Sequence, residues 1–300
     1  MIQYQETEVR YYNYKTQGTG DDSMGTLATD PVETEVPLSF VAPCRTLSPT
    51  APLRWIRLGW SDLIRAPRQS LSYGLVLSLL SVCIAVLSWL YGTLALYLGL
   101  ATGFMFVGPV VALAVYSISW QLEAGRKPAL GYCLRDGWMH VRDILLFGLV
   151  LMVVLLVWAR AATMLHVFFP NSGNPTWRSL LPFLGIGSAV GAVFSAIVFS
   201  ASAFSLPMML DRKADAVTAV VTSVNAVLSN KSAMLVWGMI VVAAVLVGFA
   251  TGMLAFVVLL PLIGHATWHG YRETIDASAW PAWEHEGQAA ASRSQQVAGS

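Results

Sequence analysis

Residues 233–271 read AMLVWGMIVVAAVLVGFATGMLAFVVLLPLIGHATWHGY and contain no Asp, Glu, Lys or Arg. One crossing of a bilayer takes roughly 20 apolar residues, so this run is about two crossings long. The glycines of the segment 248–252, Gly-Phe-Ala-Thr-Gly, mark the expected break between the two. The run therefore predicts an integral membrane protein, and its last helix ends in a cluster of polar rings.

The composition of the whole chain agrees with this prediction. Of 300 residues, 56% are hydrophobic and 12% are charged, whereas a soluble domain carries about 25% charged residues. The mean hydropathy is +0.60. The net charge of +1 gives no basic surface of the kind that binds nucleic acid, so we expect no nucleic-acid partner.

Apolar runs divide the chain into a membrane domain and two tails. Residues 1–50 and 276–300 are polar and are expected to be disordered cytoplasmic tails around a membrane domain at 51–275. No apolar run of signal-peptide type precedes position 70, so the first span is expected to direct insertion. We predict an all-α, polytopic fold of six spans in three helical hairpins, at about 69–91, 94–120, 144–168, 184–207, 233–250 and 252–271.

Two shorter segments are expected to be helices that do not cross the membrane. In residues 52–65, five side chains share one face at helical spacing, namely Trp55, Ile56, Gly59, Trp60 and Leu63. Nearby arginines favour anionic lipid, so this segment is predicted to lie at the interface and to end before Pro67. Residues 216–229 are rich in Ser, Thr and Asn, and they predict a second interfacial or protein-packed helix.

Basic residues are distributed unevenly between the two sides of the predicted spans. Of the 18 lysines and arginines, 16 fall in residues 1–68, in the loops 124–143 and 211–232, and in residues 272–300. Arg178 lies on the opposite side, and Arg160 lies within a span. The positive-inside rule therefore predicts that both termini are cytoplasmic, in a multi-pass protein of the bacterial inner membrane.

The chain also shows signs of a threefold internal repeat. Each unit would hold a short polar-faced helix, a span, a tight turn and a second span with a proline, at Pro109, Pro207 and Pro261. The segment 99–103 (Gly-Leu-Ala-Thr-Gly) matches 248–252, and the middle unit has glycines at 187 and 191. Glycines four residues apart let helices approach closely in lipid.

Arg160 is the only charged residue within a predicted span. Charges inside membranes are costly and often functional. Two interpretations stay open. Arg160 could snorkel to the outer interface beside Trp158 and His166 or bond to another helix. Alternatively, it could contact an anionic substrate or lipid.

The polar end of the last span is the predicted cytoplasmic site. His265 and His269 are four residues apart and share a helix face, so they could ligate a metal or haem. No HExxH motif is present, and a third ligand would have to be His140 or Asp211. The alternative is an interfacial belt that meets lipid headgroups. The candidate cluster comprises His265, Trp268, His269, Tyr271, Arg272 and Asp211.

Signals for enzymatic chemistry are absent from the sequence. There is no GxSxG motif and no glycine-rich phosphate loop after a strand. The three cysteines (44, 83 and 133) have neither CxxC spacing nor an even-numbered framework, which argues against a disulfide or thiolate metal site. The aspartates Asp62, Asp136, Asp143 and Asp211 fall at helix ends, where capping and local ion pairs explain them. We therefore expect no enzymatic activity and no cofactor.

Four strings together resemble a family of uncharacterised proteobacterial integral membrane proteins, known only as a domain of unknown function. They are PLRWIRLGWSDL at 52–63, FVGP at 106–109, SLPMMLDR at 205–212 and LPLIGHATWHGYR at 260–272. The resemblance covers roughly residues 50–275. It implies a bacterial inner-membrane location and six spans, and it implies no activity, ligand or catalytic residue.

The sequence leaves three functions open. The first is a non-enzymatic accessory, assembly or scaffold component that contacts membrane lipid and other membrane subunits. The second is a small-solute or ion transporter, supported by the proline-broken spans and opposed by the scarcity of buried ionisable groups. The third is a membrane protein with a histidine-ligated metal or haem.

Overall fold

The chain is described by a computed structural model that covers residues 40–92, 112–129, 131, 141–168 and 177–283, with only the backbone for 165–168 and 177–180. These residues form helices, turns and two isolated β-bridges. The helices are α1 Ala51–Arg65, α2 Pro67–Tyr91, α3 112–123, α4 Val141–Phe168, α5 Trp177–Ser202, α6 Ser205–Asp211, α7 Ala216–Ser229, α8 Lys231–Ala250 and α9 Phe256–Thr274. The all-α prediction is confirmed for this part of the chain.

Four helical segments are long and apolar enough to cross a membrane. They are Pro67–Tyr91, Val141–Met164, Leu181–Asp211 and Lys231–Ala250. They coincide with the predicted spans at 69–91, 144–168, 184–207 and 233–250. The predicted span at 94–120 lies mostly outside the described residues, so the number of six spans stays a prediction.

The predicted span at 252–271 is not among these four segments. A turn occupies residues 251–255, and α9 starts only at Phe256. Only the first half of α9 is apolar, because from His265 onward the helix carries histidines, Arg272 and Glu273. Pro261 lies inside α9 without ending it.

α9 packs against both α1 and α2, and two glycines allow the helices to approach closely. A β-carbon at Gly59 of α1 would lie 2.7 Å from the backbone nitrogen of Ala266. A β-carbon at Gly74 of α2 would lie 1.9 Å from the carbonyl oxygen of Val257. Only glycine fits these contacts, which bring the polar half of α9 beside the α1–α2 junction.

Trp55 of α1 lies at the centre of the core. Its ring is edge-on to Phe204 at 6.1 Å and to Trp237 at 5.6 Å. The buried face of α1 comprises Trp55, Gly59, Asp62 and Leu63. It differs from the predicted face because Trp60 is 47% exposed. Trp55 is thus a core residue and not an interfacial anchor, because α9 covers it.

α7 is packed on protein, as one of the two interpretations of residues 216–229 predicted. Its buried face carries small side chains, including Thr222 and Ser223. Asp215 caps its first turn, and its Oδ1 accepts hydrogen bonds from the backbone nitrogens of Val217 and Thr218. Burial acts to raise the pKa of Asp215, but these hydrogen bonds outweigh it and hold that pKa below its ordinary value.

Parts of both predicted tails pack on the helices. The backbone nitrogen of Asp276 donates to the carbonyl of Pro43, and the backbone nitrogen of Arg45 donates to the carbonyl of Thr274. The carbonyl of Pro281 accepts from the backbone nitrogen of Lys213, and Trp280 is buried. The packed unit therefore includes residues 40–50 and 275–283.

The threefold repeat stays a prediction. The segment 99–103 and Pro109 lie outside the described residues. Gly248 packs against the ring of Phe256 within its own hairpin, and Gly252 lies in the turn with a φ of 61°. A β-carbon at Gly187 or Gly191 would meet no atom of a neighbouring described element within 4 Å.

Candidate functional site

The polar end of α9 is buried in protein. His265, Trp268 and Tyr271 are almost fully buried, and His269 is half-buried. Their spacing of three and four residues aligns them along the side of α9 that faces α1, α2, α3 and α6. These rings therefore meet protein groups, whereas the interfacial belt interpretation placed them at lipid headgroups.

A chain of hydrogen bonds runs through His265. Its Nε2 lies 2.9 Å from Oγ of Ser70, and its Nδ1 lies 2.7 Å from Oγ of Ser119. Ser119 in turn donates to Oδ2 of Asp62 at 2.9 Å. Because a hydroxyl has one hydrogen, Ser119 must accept from Nδ1–H of His265. In a neutral His265, Nε2 then accepts from Ser70, so every hydrogen bond of the chain points toward Asp62.

Asp62 is the acceptor end of this chain. It is 4% exposed, and its Oδ2 also lies 2.8 Å from Nε2 of His269. Nη1 of Arg65 is 3.9 Å from its other oxygen. Capping and local pairing were the roles expected for Asp62 from its position at a helix end. In the structure it also bonds to residues far away in sequence.

Burial controls the charge of His265. Removal from water, the largest cause, lowers the pKa of His265 from 6.5 to about 4; the carboxylate of Asp62 opposes this shift, and His269 contributes to it. His265 lies outside the four candidate spans. With a pKa of about 4, the imidazole of His265 is neutral at pH 7, which agrees with the hydrogen-bond pattern of the chain.

A second group forms around Asp211, the acidic member of the predicted cluster. Its Oδ2 accepts from the hydroxyl of Tyr271 at 2.7 Å, from Nη1 of Arg272 at 3.3 Å and from Nε of Arg212 at 3.1 Å. Burial and the neighbouring carboxylate raise the pKa of Tyr271 above its ordinary value. Tyr271 is therefore a donor to Asp211 across the physiological pH range.

Glu123 at the end of α3 joins this group to α9. It accepts from Nε1 of Trp268 at 2.9 Å and from Nε and Nη2 of Arg272 at 3.2 and 3.1 Å. Burial acts to lower the pKa of Arg272, but Asp211 and Glu123 outweigh it and raise that pKa. The six predicted cluster residues thus lie together at the polar end of α9, in two groups.

Five participants were not predicted as site residues: Asp62, Ser70, Ser119, Glu123 and Glu273. Glu273 pairs with Arg54 and accepts from Nε1 of Trp55 at 2.9 Å. One signal for Asp62 was available. Asp62 comes seven residues after Trp55 and three residues after Gly59, so it shares their helix face, where the other side chains are apolar or small. The serines have no comparable signal.

The histidine pair does not meet a third metal-ligating side chain in the described residues. No group of three or more His, Cys, Asp or Glu with metal-site geometry occurs there. His265 is bonded to two serines, Asp211 belongs to the second group, and His140 lies outside the described residues. A metal or haem ligated by His265 and His269 has no further support from this geometry.

Arg160 is not part of either group. It lies on α4, inside the segment Val141–Met164, and its side chain is exposed. Trp158 beside it is also exposed, and the side chain of His166 lies outside the described set. Snorkelling and contact with an anionic lipid or substrate therefore both stay open.

Part of the chain matches a known protein family. Residues 96–211 match the family "Predicted integral membrane protein (DUF2189)". The resemblance to an uncharacterised integral membrane family is thereby confirmed for this part of the chain. The DUF2189 match contains Ser119, Glu123 and Asp211, whereas Asp62 and His265 lie outside it. No curated protein and no solved structure matches the chain significantly.

The arrangement is suited to binding and passing a proton. A buried carboxylate, a neutral imidazole and two hydroxyls are connected by hydrogen bonds, and each imidazole nitrogen can exchange a proton with a hydroxyl. Ser70 belongs to α2, one of the four candidate spans, and half-buried His269 gives the opposite end of the chain partial access to solvent.

Proposed function

We propose that the protein is a non-enzymatic ion transporter of the membrane whose transported ion is the proton, with Asp62 as the proton-binding group. The observation that carries this proposal is the buried chain Ser70–His265–Ser119–Asp62. Chains of Asp, Glu and His are typical of proton relays in pumps and transporters, and Ser70 connects this chain to the candidate span α2. Scarcity of such groups was the objection to a transporter, and the packing of α1 on α9 supplies them.

The direction of the hydrogen bonds indicates how a proton would move. A proton that arrives at Nε2 of His265 from the side of Ser70 makes this ring cationic. His265 then releases its Nδ1 proton to Ser119, and Ser119 transfers its own hydroxyl proton to Asp62. These two transfers restore the neutral ring of His265 and leave Asp62 as a carboxylic acid. His269, 2.8 Å from Asp62, is the group through which Asp62 would exchange its proton with solvent.

The location that we propose for the protein is the bacterial inner membrane, with both termini in the cytoplasm. Support comes from the 16 basic residues that the span pattern assigns to one side. Asp62 lies 3.9 Å from Arg65, and Ser70 lies in the first turn of α2, so the proton-binding group would face the cytoplasm.

A role as an accessory, assembly or scaffold subunit is the second candidate. Residues 40–50 and 275–283 pair with each other and with the loop after α6, so both ends of the described part of the chain lie on this packed surface. Such a surface would suit contact with other membrane subunits. Gentle detergent purification, followed by identification of copurifying proteins, tests this role. A homogeneous protein without stoichiometric partners would contradict it.

Proton movement can be measured in reconstituted vesicles that enclose a pH-sensitive dye. After an imposed pH step, the wild-type protein should accelerate equilibration over protein-free vesicles, and Asp62→Asn should abolish this acceleration. Asp276→Asn is the matched control, because Asp276 is an exposed aspartate paired with Arg45 at 3.6 Å. Equal rates for the wild type and a folded Asp62→Asn protein would overturn the proposal.

A further inference from the structure

The turn between α8 and α9 meets α2 far from the end of that helix. The hydroxyl of Ser78 donates to the carbonyl oxygen of Met253 at 2.8 Å. Eight residues earlier in α2, the hydroxyl of Ser70 lies beside the ring of His265. The stretch from Met253 to His265 therefore runs antiparallel to the first part of α2.

The rise of a helix shows how deep this turn lies. From Ser70 to Ser78, α2 advances about 12 Å at 1.5 Å per residue. From Ser78 to its end at Tyr91, it continues for about 20 Å. The hydrocarbon core is about 30 Å thick, and the uncharged stretch of α2 from Ser70 to Tyr91 matches it. The turn at 251–255 thus reaches less than half of the way across.

The length of α8 is consistent with a turn inside the membrane, although the helix has 20 residues. Its first part belongs to the packed base, since Ala233, Met234 and Trp237 are buried and the ring of Trp237 contacts Trp55. The remainder, from position 238 to Ala250, rises only about 18 Å, which is too short for a full crossing.

Hydrogen bonds within its own segment close the turn, which lowers the cost of placing polar groups inside a membrane. Oγ1 of Thr251 donates to the carbonyl of Val247 or Gly248 and accepts from the backbone nitrogen of Ala255 at 3.1 Å. The backbone nitrogen of Met253 donates to the carbonyl of Gly248 at 2.7 Å. Next to these bonds, Leu254 is 72% exposed, as expected for a side chain in lipid.

We propose that α8, the turn 251–255 and the first half of α9 form a re-entrant hairpin. It enters the membrane from the side of the polar groups, ends against Ser78 before the middle of the membrane and returns to the same side. The hairpin is shorter than the two full spans that its apolar composition predicts. The proposal is independent of proton transport, because it concerns only the depth of the turn.

Cysteine accessibility in membranes distinguishes a re-entrant hairpin from two spans. In a full-length variant with Cys44, Cys83 and Cys133 replaced by serine, single cysteines are placed at Leu254, Tyr91 and Ser278. A membrane-impermeant maleimide is added to either face of sealed vesicles with known protein orientation. We expect Tyr91→Cys and Ser278→Cys to react from opposite faces and Leu254→Cys to react from neither.

Each outcome for Leu254→Cys decides the proposal. Labelling from the face of Tyr91 would show a complete crossing, and labelling from the face of Ser278 would show a turn outside the membrane. Either result overturns the proposal. Labelling in detergent with protection in vesicles supports it. A gel-filtration profile equal to that of the parent establishes that the variant is folded.

Discussion

Replacing Ser119 by alanine removes the hydroxyl that joins Asp62 to His265. The lost hydrogen bond to the carboxylate contributes about 1.5–3 kcal/mol, and the Nδ1–H of His265 loses its buried acceptor at a cost of about 1–3 kcal/mol. We expect a combined loss of about 3 kcal/mol. For a domain of about 150–250 residues this lowers the melting temperature by about 6–12 °C. The melting temperature is measured by the intrinsic tryptophan fluorescence of the detergent-solubilised protein during heating.

Ser72→Ala is the matched control for this measurement. Ser72 is exposed on α2, and its hydroxyl donates to the carbonyl of Gln69 in the same helix. This change should cost less than about 0.5 kcal/mol. If Ser119→Ala melted within about 2 °C of Ser72→Ala, the buried chain would not contribute to stability, and its assignment as a connected network would be refuted.

Three further predictions concern pH, helix packing and lipid contact. The folded-state pKa of His265, about 4, lies below its ordinary 6.5, so the unfolded chain binds more protons between these values. The melting temperature should therefore fall as pH drops from 6.5 toward 4, and a folded His265→Gln protein should show a smaller fall. Gly74→Leu should cost more than about 2 kcal/mol in thermal unfolding, because its side chain would collide with the backbone of Val257. Trp60 is exposed and Trp55 is buried, so brominated lipid should quench wild-type fluorescence less after Trp60→Phe, whereas Trp55→Phe should leave the lipid-quenched signal in place.

The positions of four candidate spans could be predicted because hydropathy and length are local properties. A helix such as α4 carries an apolar side chain at nearly every position, whatever it packs against. The last predicted span shows the limit of this reasoning. An apolar run looks the same whether it crosses the bilayer or turns inside it, and only the contact between Ser78 and Met253 locates the turn.

The candidate site could be predicted in part. His265, His269 and Arg272 share a helix face by spacing alone, and the positive-inside pattern placed Asp211 on the same side. Their partners could not be deduced. Asp62 is 207 positions from His269, and no local pattern joins residues so far apart. A serine such as Ser119 has the same sequence signal whether it faces lipid or an imidazole.

Amino-acid composition and pattern alone make this protein helical, apolar and suited to a membrane. These properties follow from the cost of placing backbone and charge in hydrocarbon. Burial of the polar end of α9, and its bonds to other helices, depend instead on how distant segments pack. Gly59 and Gly74 permit that packing, because their missing side chains let the backbones touch. The close approach turns the rings of His265 and His269 toward Asp62, and it ends the last apolar run against the middle of α2.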